Sequence, residues 1–213
     1  MDAAAFDRRF IGDLAIAESP APAGTDLLAV VARNSSRYPF LLESSAGATA
    51  QSRYDLLLAF PGEAIEIADG RNGRSFFDHL DDAAAQQPSD PVAGLPFVGG
   101  WFFYLGYEMA ARVEPSLTLP RPVDDIFPDA LAVRCPAAVI LDRHSGVLRL
   151  VSEQRDMARV EQMIDDLCGA EQSTAARQVP ANWSESDPAL YRARVEQARA
   201  LINAGDVFQV NLS

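Results

Sequence analysis

The stretch from Ala130 to Val151, ALAVRCPAAVILDRHSGVLRLV, narrows the possible folds more than any other part of the chain. It holds apolar runs at Ala130 to Cys135, Ala138 to Leu141 and Val147 to Val151. Runs this short are strand-length rather than helix-length. The polar Asp142 to Gly146 reads as a turn. Strands joined by so short a connection must lie antiparallel, because a parallel pair needs a crossover of a dozen or more residues. The spacing therefore predicts a meander of three antiparallel strands.

Other segments alternate between the two periods. Residues 1 to 24 are mixed and end in the loop-like SPAPAG. Thr25 or Asp26 caps a helix running to Arg33, with Leu27, Leu28 and Val31 as its apolar side. Short strands are expected at Phe40 to Ser44, Tyr54 to Phe60 and Ala64 to Ala68, the last turning at Asp69-Gly70 or Asn72-Gly73. Phe76 to Gln86 reads as a helix with Phe76, Phe77, Leu80 and Ala84 on one side. The run PFVGGWFFYLGYE, Pro96 to Glu108, is rich enough in aromatics to suit a strand buried on both faces. Its Gly99, Gly100 and Gly106 suggest bulges or close backbone approach. Asp156 to Leu167 is a helix that turns Val160, Met163, Ile164 and Leu167 inward. Hairpins with a few interspersed helices indicate an α+β fold of antiparallel sheets and packed helices.

Gly169 to Asp187 is polar and reads as a linker, anchored only by Trp183. Beyond it, Asp187-Pro188 starts a helix, Tyr191, Val195, Ala198 and Ile202 share a face, and Gly205 stops it. The pattern then changes to period two. Phe208, Val210 and Leu212 point one way, while Val207, Gln209 and Asn211 point the other. Ending on such a strand, the chain looks interrupted.

Composition excludes several classes. A formal charge of −12 argues against nucleic acid or an anionic membrane surface as the main partner. All 18 basic residues are Arg, which removes Walker-type and Schiff-base lysine chemistry from this chain. Cys135 and Cys168 stand far apart, with neither a metal-like nor a CxxC spacing, as expected of reduced, buried thiols in a cytoplasmic protein. The first residues lack a signal-peptide pattern, and no apolar run reaches membrane-spanning length. His79 and His144 have no ligand partner at metal spacing and read as surface residues. The acidic pairs at 81–82 and 124–125 read as a solvated helix face and a loop.

Three segments carry a resemblance. LINAGDVFQVNLS is similar to the AGDxFQVNLS segment of aminodeoxychorismate synthase component I, within the anthranilate synthase component I superfamily. PFVGGWFFYLGYEMAARVE resembles that family's PFxGGxxGxxGYDxxRxxE signature, and FLLESSAGATAQSRYDLLLAFP its LLES…SRFD segment. They occur in the family's order and span nearly the whole chain. Anthranilate synthase component I, of tryptophan biosynthesis, is the near rival. Asn211 and Arg53-Tyr54-Asp55 look more like the folate enzyme, whose rival usually carries an apolar residue at the first position and an RYS version of the second.

The resemblance implies the N-terminal portion of the anthranilate synthase component I-type β-sandwich. Residues 1–170 would form the N-terminal domain, 171–188 a linker, and 189–213 the start of a chorismate-binding domain. It also implies the amination of chorismate with ammonia from a glutamine amidotransferase subunit, on the route to para-aminobenzoate and folate. The catalytic lysine and the glutamates that hold Mg²⁺ belong to motifs beyond Ser213, so no catalytic or metal-ligating residue is assigned here and the chain alone should be inactive. An amino-acid pocket, occupied by tryptophan in some members, would map to Glu43, Ser44, Gln51, Ser52, Arg53 and Tyr54. Arg53 offers a planar fork to a carboxylate, while Glu43 and the Ser44 hydroxyl could accept from an ammonium. The plainer alternative pairs Arg53 with a nearby Asp at the surface and leaves Glu43 solvated. Gln209 and Asn211 are weaker candidates beside a site. A stand-alone amino-acid-binding or interaction module is the reading from a different class.

Overall fold

The computed structural model describes residues 1–44, 52–67, 75–86, 91–119, 127–170, 184 and 187–212. The chain divides into two compact units, Met1–Ser173 and Thr174–Ser213.

In the first unit, β1 (Asp7–Ile11), β2 (Leu14–Pro20), β3 (Phe40–Leu42), β4 (Tyr54–Ala59), β8 (Ala137–Asp142) and β9 (Val147–Ser152) form a six-stranded sheet. Its order is β1-β2-β9-β8-β4-β3, antiparallel throughout. A second sheet orders β5 (Ala64–Ile67), β7 (Ala130–Cys135) and β6 (Gly100–Leu105) as β5-β7-β6, also antiparallel. The fold is therefore α+β with antiparallel sheets, as the run lengths predict. β8 and β9 make the expected hairpin, closing on the Asp142↔Val147 pair. The expected three-strand meander does not form, because β7 belongs to the other sheet. The break falls at Pro136, whose nitrogen carries no hydrogen for a ladder and marks where the chain changes sheets.

The period-two pattern sorts the side chains into layers. Leu148, Leu150, Val139, Leu57, Ala15 and Ala17 face two helices, α1 (Leu27–Arg33) and α4 (Met157–Gly169). α4 buries Val160, Met163, Ile164 and Leu167, the four residues its spacing selects, and Asp156 caps it by accepting from the Arg159 N–H. Each such fully buried side chain contributes about 1.5–3 kcal/mol. The other face, with Ile16, Leu58, Ile140 and Val151, packs on Val133 and Cys135 of β7. Phe40 and Phe102 stack across the two sheets with ring centroids 3.8 Å apart. Behind the smaller sheet, Ala130 and Ala132 pack with Met109 and with Phe76 of α2 (Phe76–Gln86). One further short helix, α3 (Ala110–Val113), follows a 3₁₀ turn at Tyr107–Met109.

Several expectations need correcting. The mixed N-terminal stretch holds a hairpin that the sequence did not reveal: β1 and β2, whose turn uses Gly12 at φ +54°. Its second strand gives little sequence signal because both faces are buried, so polar residues do not alternate with apolar ones. α1 buries Leu27, Ala29 and Val30 and leaves Leu28 exposed, the adjacent choice of face on a two-turn helix. Of the expected α2 face, Phe76 is buried while Phe77 and Ala84 are exposed. β6 is not buried on both faces but forms an edge, with Phe103, Tyr104 and Leu105 exposed at 56%, 42% and 42%. Aromatic content records a preference for burial; the extent of the neighbouring layers decides where burial happens. Cys135 is buried, but Cys168 only partly so. His79 and His144 are exposed, as expected. The turn expected at 69–73, the pair at 124–125 and Trp183 lie outside the described residues.

In the second unit, α5 (Pro188–Ala204) starts and stops where the sequence says. Asp187 accepts from the Ala189 N–H at 2.8 Å, and Pro188 opens the first turn. Gly205 sits at φ +80°, where Gly205 N–H donates to the Ile202 carbonyl and Asp206 N–H to that of Leu201. On the expected face Ala198 is buried and Val195 partly so, while Tyr191 and Ile202 are exposed. The strand expected after Asp206 is absent: residues 207–212 pair with no other strand among the described residues. Alternation makes a segment suitable for a sheet, but the ladder needs a neighbour.

Candidate functional site

The LLES and SRYD segments meet at one end of the β4–β8 pair. β4 begins where β8 ends, with Tyr54 opposite Asp142. Arg53, just before β4, donates through Nε to Asp142 Oδ1 at 3.1 Å and through Nη2 to Oδ2 at 2.7 Å. Arg143, just after β8, donates through Nε to Asp55 Oδ2 at 2.7 Å. Each strand thus holds the arginine that flanks the other, and the Arg143 N–H donates to the Arg53 carbonyl at 2.8 Å between them. Because successive strand residues point to opposite faces, the two ion pairs lock the strand ends from both sides of the sheet. A forked guanidinium–carboxylate pair fixes geometry as well as charge.

Asp142 has no exposed side-chain surface and also accepts from the His144 and Ser145 N–H groups at 3.0 and 3.3 Å. The hydrogen-bonded Arg53 guanidinium, helped by those turn amides, holds its carboxyl far below the usual range despite burial. The network runs on: Arg149 lies 3.5 Å from Asp142 through Nη1 and 2.8 Å from Glu18 through Nε, and Glu18 also pairs with Arg9. A buried carboxylate with so many donors is a structural anchor.

The other aspartate reaches the LLES segment. Asp55 Oδ1 accepts from the Ser44 N–H at 3.1 Å, and Arg143 Nη2 donates to Glu43 Oε1 at 3.3 Å. Glu43 is largely exposed. Ser52 is buried, and Tyr54 is half-buried with the Arg53 guanidinium 4.8 Å from its ring centroid. The structure therefore brings together Glu43, Ser44, Ser52, Arg53 and Tyr54, while Gln51 lies outside the described residues. Arg53 is engaged by an aspartate, as the plainer alternative expected, but that aspartate is buried rather than at the surface, and the largely exposed Glu43 also meets Arg143. Sequence reasoning missed Arg143, Asp142 and Asp55. Their signal was the charge order, Arg-x-Asp at 53–55 against Asp-Arg at 142–143, which needs the strand register before it means anything.

The glycine-rich signature has its own physical reason. Gly99 sits at φ +109°, and a Cβ there would lie 1.9 Å from Glu153 Oε1. That carboxylate is gripped at 2.5 Å by Arg134, which is 6% exposed and also donates to the Gly100 carbonyl at 2.8 Å. Gly106 is confined less severely, since a Cβ there would stand 3.0 Å from the Asp129 carbonyl. Gly99 and Gly106 thus make the close approach expected of them, whereas a Cβ at Gly100 would meet only the Phe97 ring at 3.4 Å. Burial pushes the thiol of nearby Cys135 up to about 11, which leaves it unreactive near neutral pH.

In the second unit, Gln209 and Asn211 are exposed, with Gln209 Nε2 donating to Asn211 Oδ1 at 3.1 Å. Among the described residues no group of three or more His, Cys, Asp or Glu is placed to hold a metal ion. The described residues thus offer no fit for the Mg²⁺ that the resemblance implies. No helix among the described residues is long and apolar enough to cross a membrane.

These segments lie within a wider match. The chain belongs to the chorismate binding enzyme family, whose model matches residues 38–213. More particularly, it is 35% identical over 121 residues to an anthranilate synthase component I-like protein of Synechocystis, covering 56% of this chain and 24% of that protein. It is 28% identical over 208 residues to anthranilate synthase component 1 of Cereibacter sphaeroides, covering 80% of this chain and 41% of the relative. Against aminodeoxychorismate synthase component 1 of Klebsiella aerogenes it is 26% identical over 196 residues, covering 84% and 42%. The chain spans well under half the length of these relatives.

Proposed function

We propose that the chain is the N-terminal part of an aminodeoxychorismate synthase component I. The complete enzyme would bind chorismate in the cytoplasm and replace its 4-hydroxyl with an amino group, using Mg²⁺ and ammonia from a glutamine amidotransferase subunit. The observation that carries this reading is Asp55. It is the position at which Arg-Tyr-Asp differs from the Arg-Tyr-Ser version, and here its carboxylate holds Arg143 and the Ser44 amide. A serine is too short and uncharged to do both. Asn211 supports the same choice.

The second reading is the N-terminal part of an anthranilate synthase component I, favoured by the 35% identity to the Synechocystis protein. Genetic complementation separates the two. The open reading frame containing these codons should restore growth without para-aminobenzoate to cells lacking aminodeoxychorismate synthase component I. Restored growth without tryptophan in cells lacking anthranilate synthase component I, and not in the first strain, overturns the proposal. The 213-residue chain alone should form no aminodeoxychorismate from chorismate, ammonia and Mg²⁺; measurable turnover would place catalysis within it.

Glu43, Ser44, Gln51, Ser52, Arg53 and Tyr54 are proposed as part of an amino-acid pocket, with L-tryptophan as the ligand to test. Since Asp142 already occupies two nitrogens of Arg53, the ligand carboxylate would meet its remaining donors. Isothermal titration of the folded chain with L-tryptophan should give saturable heat that Glu43→Ala weakens at least tenfold. Heat unchanged by that substitution removes Glu43 from the pocket.

A further inference from the structure

At the opposite end of β4 from Arg53 the chain opens a cleft of about 610 Å³. This is within the range of small-molecule sites, about 300–1,000 Å³. Its walls include Arg37 after α1, Phe60 after β4, Arg134 of β7, Glu153 and Gln154 just after β9, and Arg159 of α4. Three features set it apart.

The first is charge. In a protein of formal charge −12, this cleft is lined by three guanidiniums against one carboxylate, and that carboxylate, Glu153, is held at both oxygens by Arg134. The second is the mounting of the two outer arginines. Arg37 and Arg159 stand 5.4 and 5.8 Å from the Phe60 ring centroid, so one aromatic ring supports both. Arg37 is braced from behind by Asp166, and Arg159 approaches Asp156 through Nε at 3.4 Å. Neither aspartate lines the cleft. The third is backbone conformation. Phe60 and Gln154, both lining the cleft, take left-handed φ values of +57° and +55°, and Arg155 follows at +55°. A residue with a side chain adopts this region at a cost, and such residues concentrate where a site dictates their placement.

We infer that this cleft is a binding site for a small-molecule oxyanion, the phosphate or carboxylate group of a metabolite. Arg37 and Arg159 supply the charge-assisted donors, Gln154 supplies a neutral one, and the Arg134–Glu153 pair forms a rigid floor. Arginine forks suit planar or tetrahedral oxyanions, and a ring that supports two cations keeps them from collapsing outward into solvent. The site is separate from the proposed amino-acid pocket and does not depend on it.

The purified chain tests this directly. Its thermal midpoint should be followed against inorganic phosphate and, separately, against succinate, with ionic strength held constant by NaCl. A saturable rise beyond the NaCl control is expected for at least one probe, and the stronger one identifies the oxyanion class. Arg159→Gln, at a half-buried position of α4, should raise the half-saturating concentration at least fivefold. Arg199→Gln, an exposed control on α5, should leave it unchanged. If Arg159→Gln does not fold, Arg159→Lys replaces it and should weaken the response at least threefold, because the ammonium lacks the planar fork. No rise beyond NaCl with either probe overturns the inference. So does a wild-type response in the Arg159 variant, or an equal loss in Arg199→Gln.

Discussion

At its Tyr54 end β4 is surrounded by Arg53, Asp55, Asp142 and Arg143, all engaged in holding two strands together. At its Phe60 end arginines are again close together, but they border open space and are propped on an aromatic ring. The sequence motifs point to the first end; the cavity and the left-handed residues lie at the second. The difference teaches that charged residues in a family signature can be structural, while a cleft can draw its arginines from segments that carry no motif. Arginines at both ends have carboxylate partners; the difference is that open space remains beside the pairs at the Phe60 end.

The contrast can be broken most forcefully at Asp142. Asp142→Ala removes the shared acceptor of Arg53 and two turn amides; because the Arg53 side chain is itself half-exposed and regains water, the loss should be about 3 kcal/mol in chemical denaturation. A cost below about 1 kcal/mol would reduce the latch to a surface pair. Gly99→Ala comes next. Its φ of +109° and its collision with Glu153 predict a loss of about 2–3 kcal/mol. Gly12→Ala, left-handed but with open space around it, should cost only about 1 kcal/mol. Equal losses would show that backbone strain, not the Glu153 contact, sets the penalty.

Acid unfolding sharpens the latch further. The folded-state value of Asp142 is depressed below its ordinary 3.8. Its stabilisation is therefore complete above that value and drains away as pH falls below it toward the folded value. Asp142→Asn should flatten the pH dependence of stability below about pH 4 relative to wild type, measured by denaturation midpoints. An unchanged slope would assign the acid sensitivity to other carboxylates, Glu18 and Glu161 first, since their arginine partners lower them too. The smallest effect is expected at the cleft wall. Gln154→Gly should be neutral or stabilising within about 1 kcal/mol, whereas the β-branched Gln154→Val should cost about 1–2 kcal/mol. The reverse order would mean that position 154 is unstrained.

Much of the fold was legible. The β8–β9 hairpin, α4 with its four inward residues, and both ends of α5 follow from apolar period and capping chemistry, which act within a few residues. The candidate site was only half legible. Arg53 and Glu43 could be selected by motif, but their partners Asp142 and Arg143 are distant in sequence, with separations of 89 and 100 residues. No local pattern reports such a pairing.

By itself, then, the sequence determined the β8–β9 hairpin, α4 and α5 with its stop at Gly205, and the segments that mark the family. Tertiary structure alone decided that β7 crosses to the second sheet, that β6 is an edge, and that residues 207–212 are not a strand. It also decided that Arg53 faces a buried aspartate while Arg37 and Arg159 face a cleft. The physical reason is the same each time. Periodicity and propensity say what a segment can do alone, whereas ladders, layers and ion pairs depend on which distant neighbour arrives beside it.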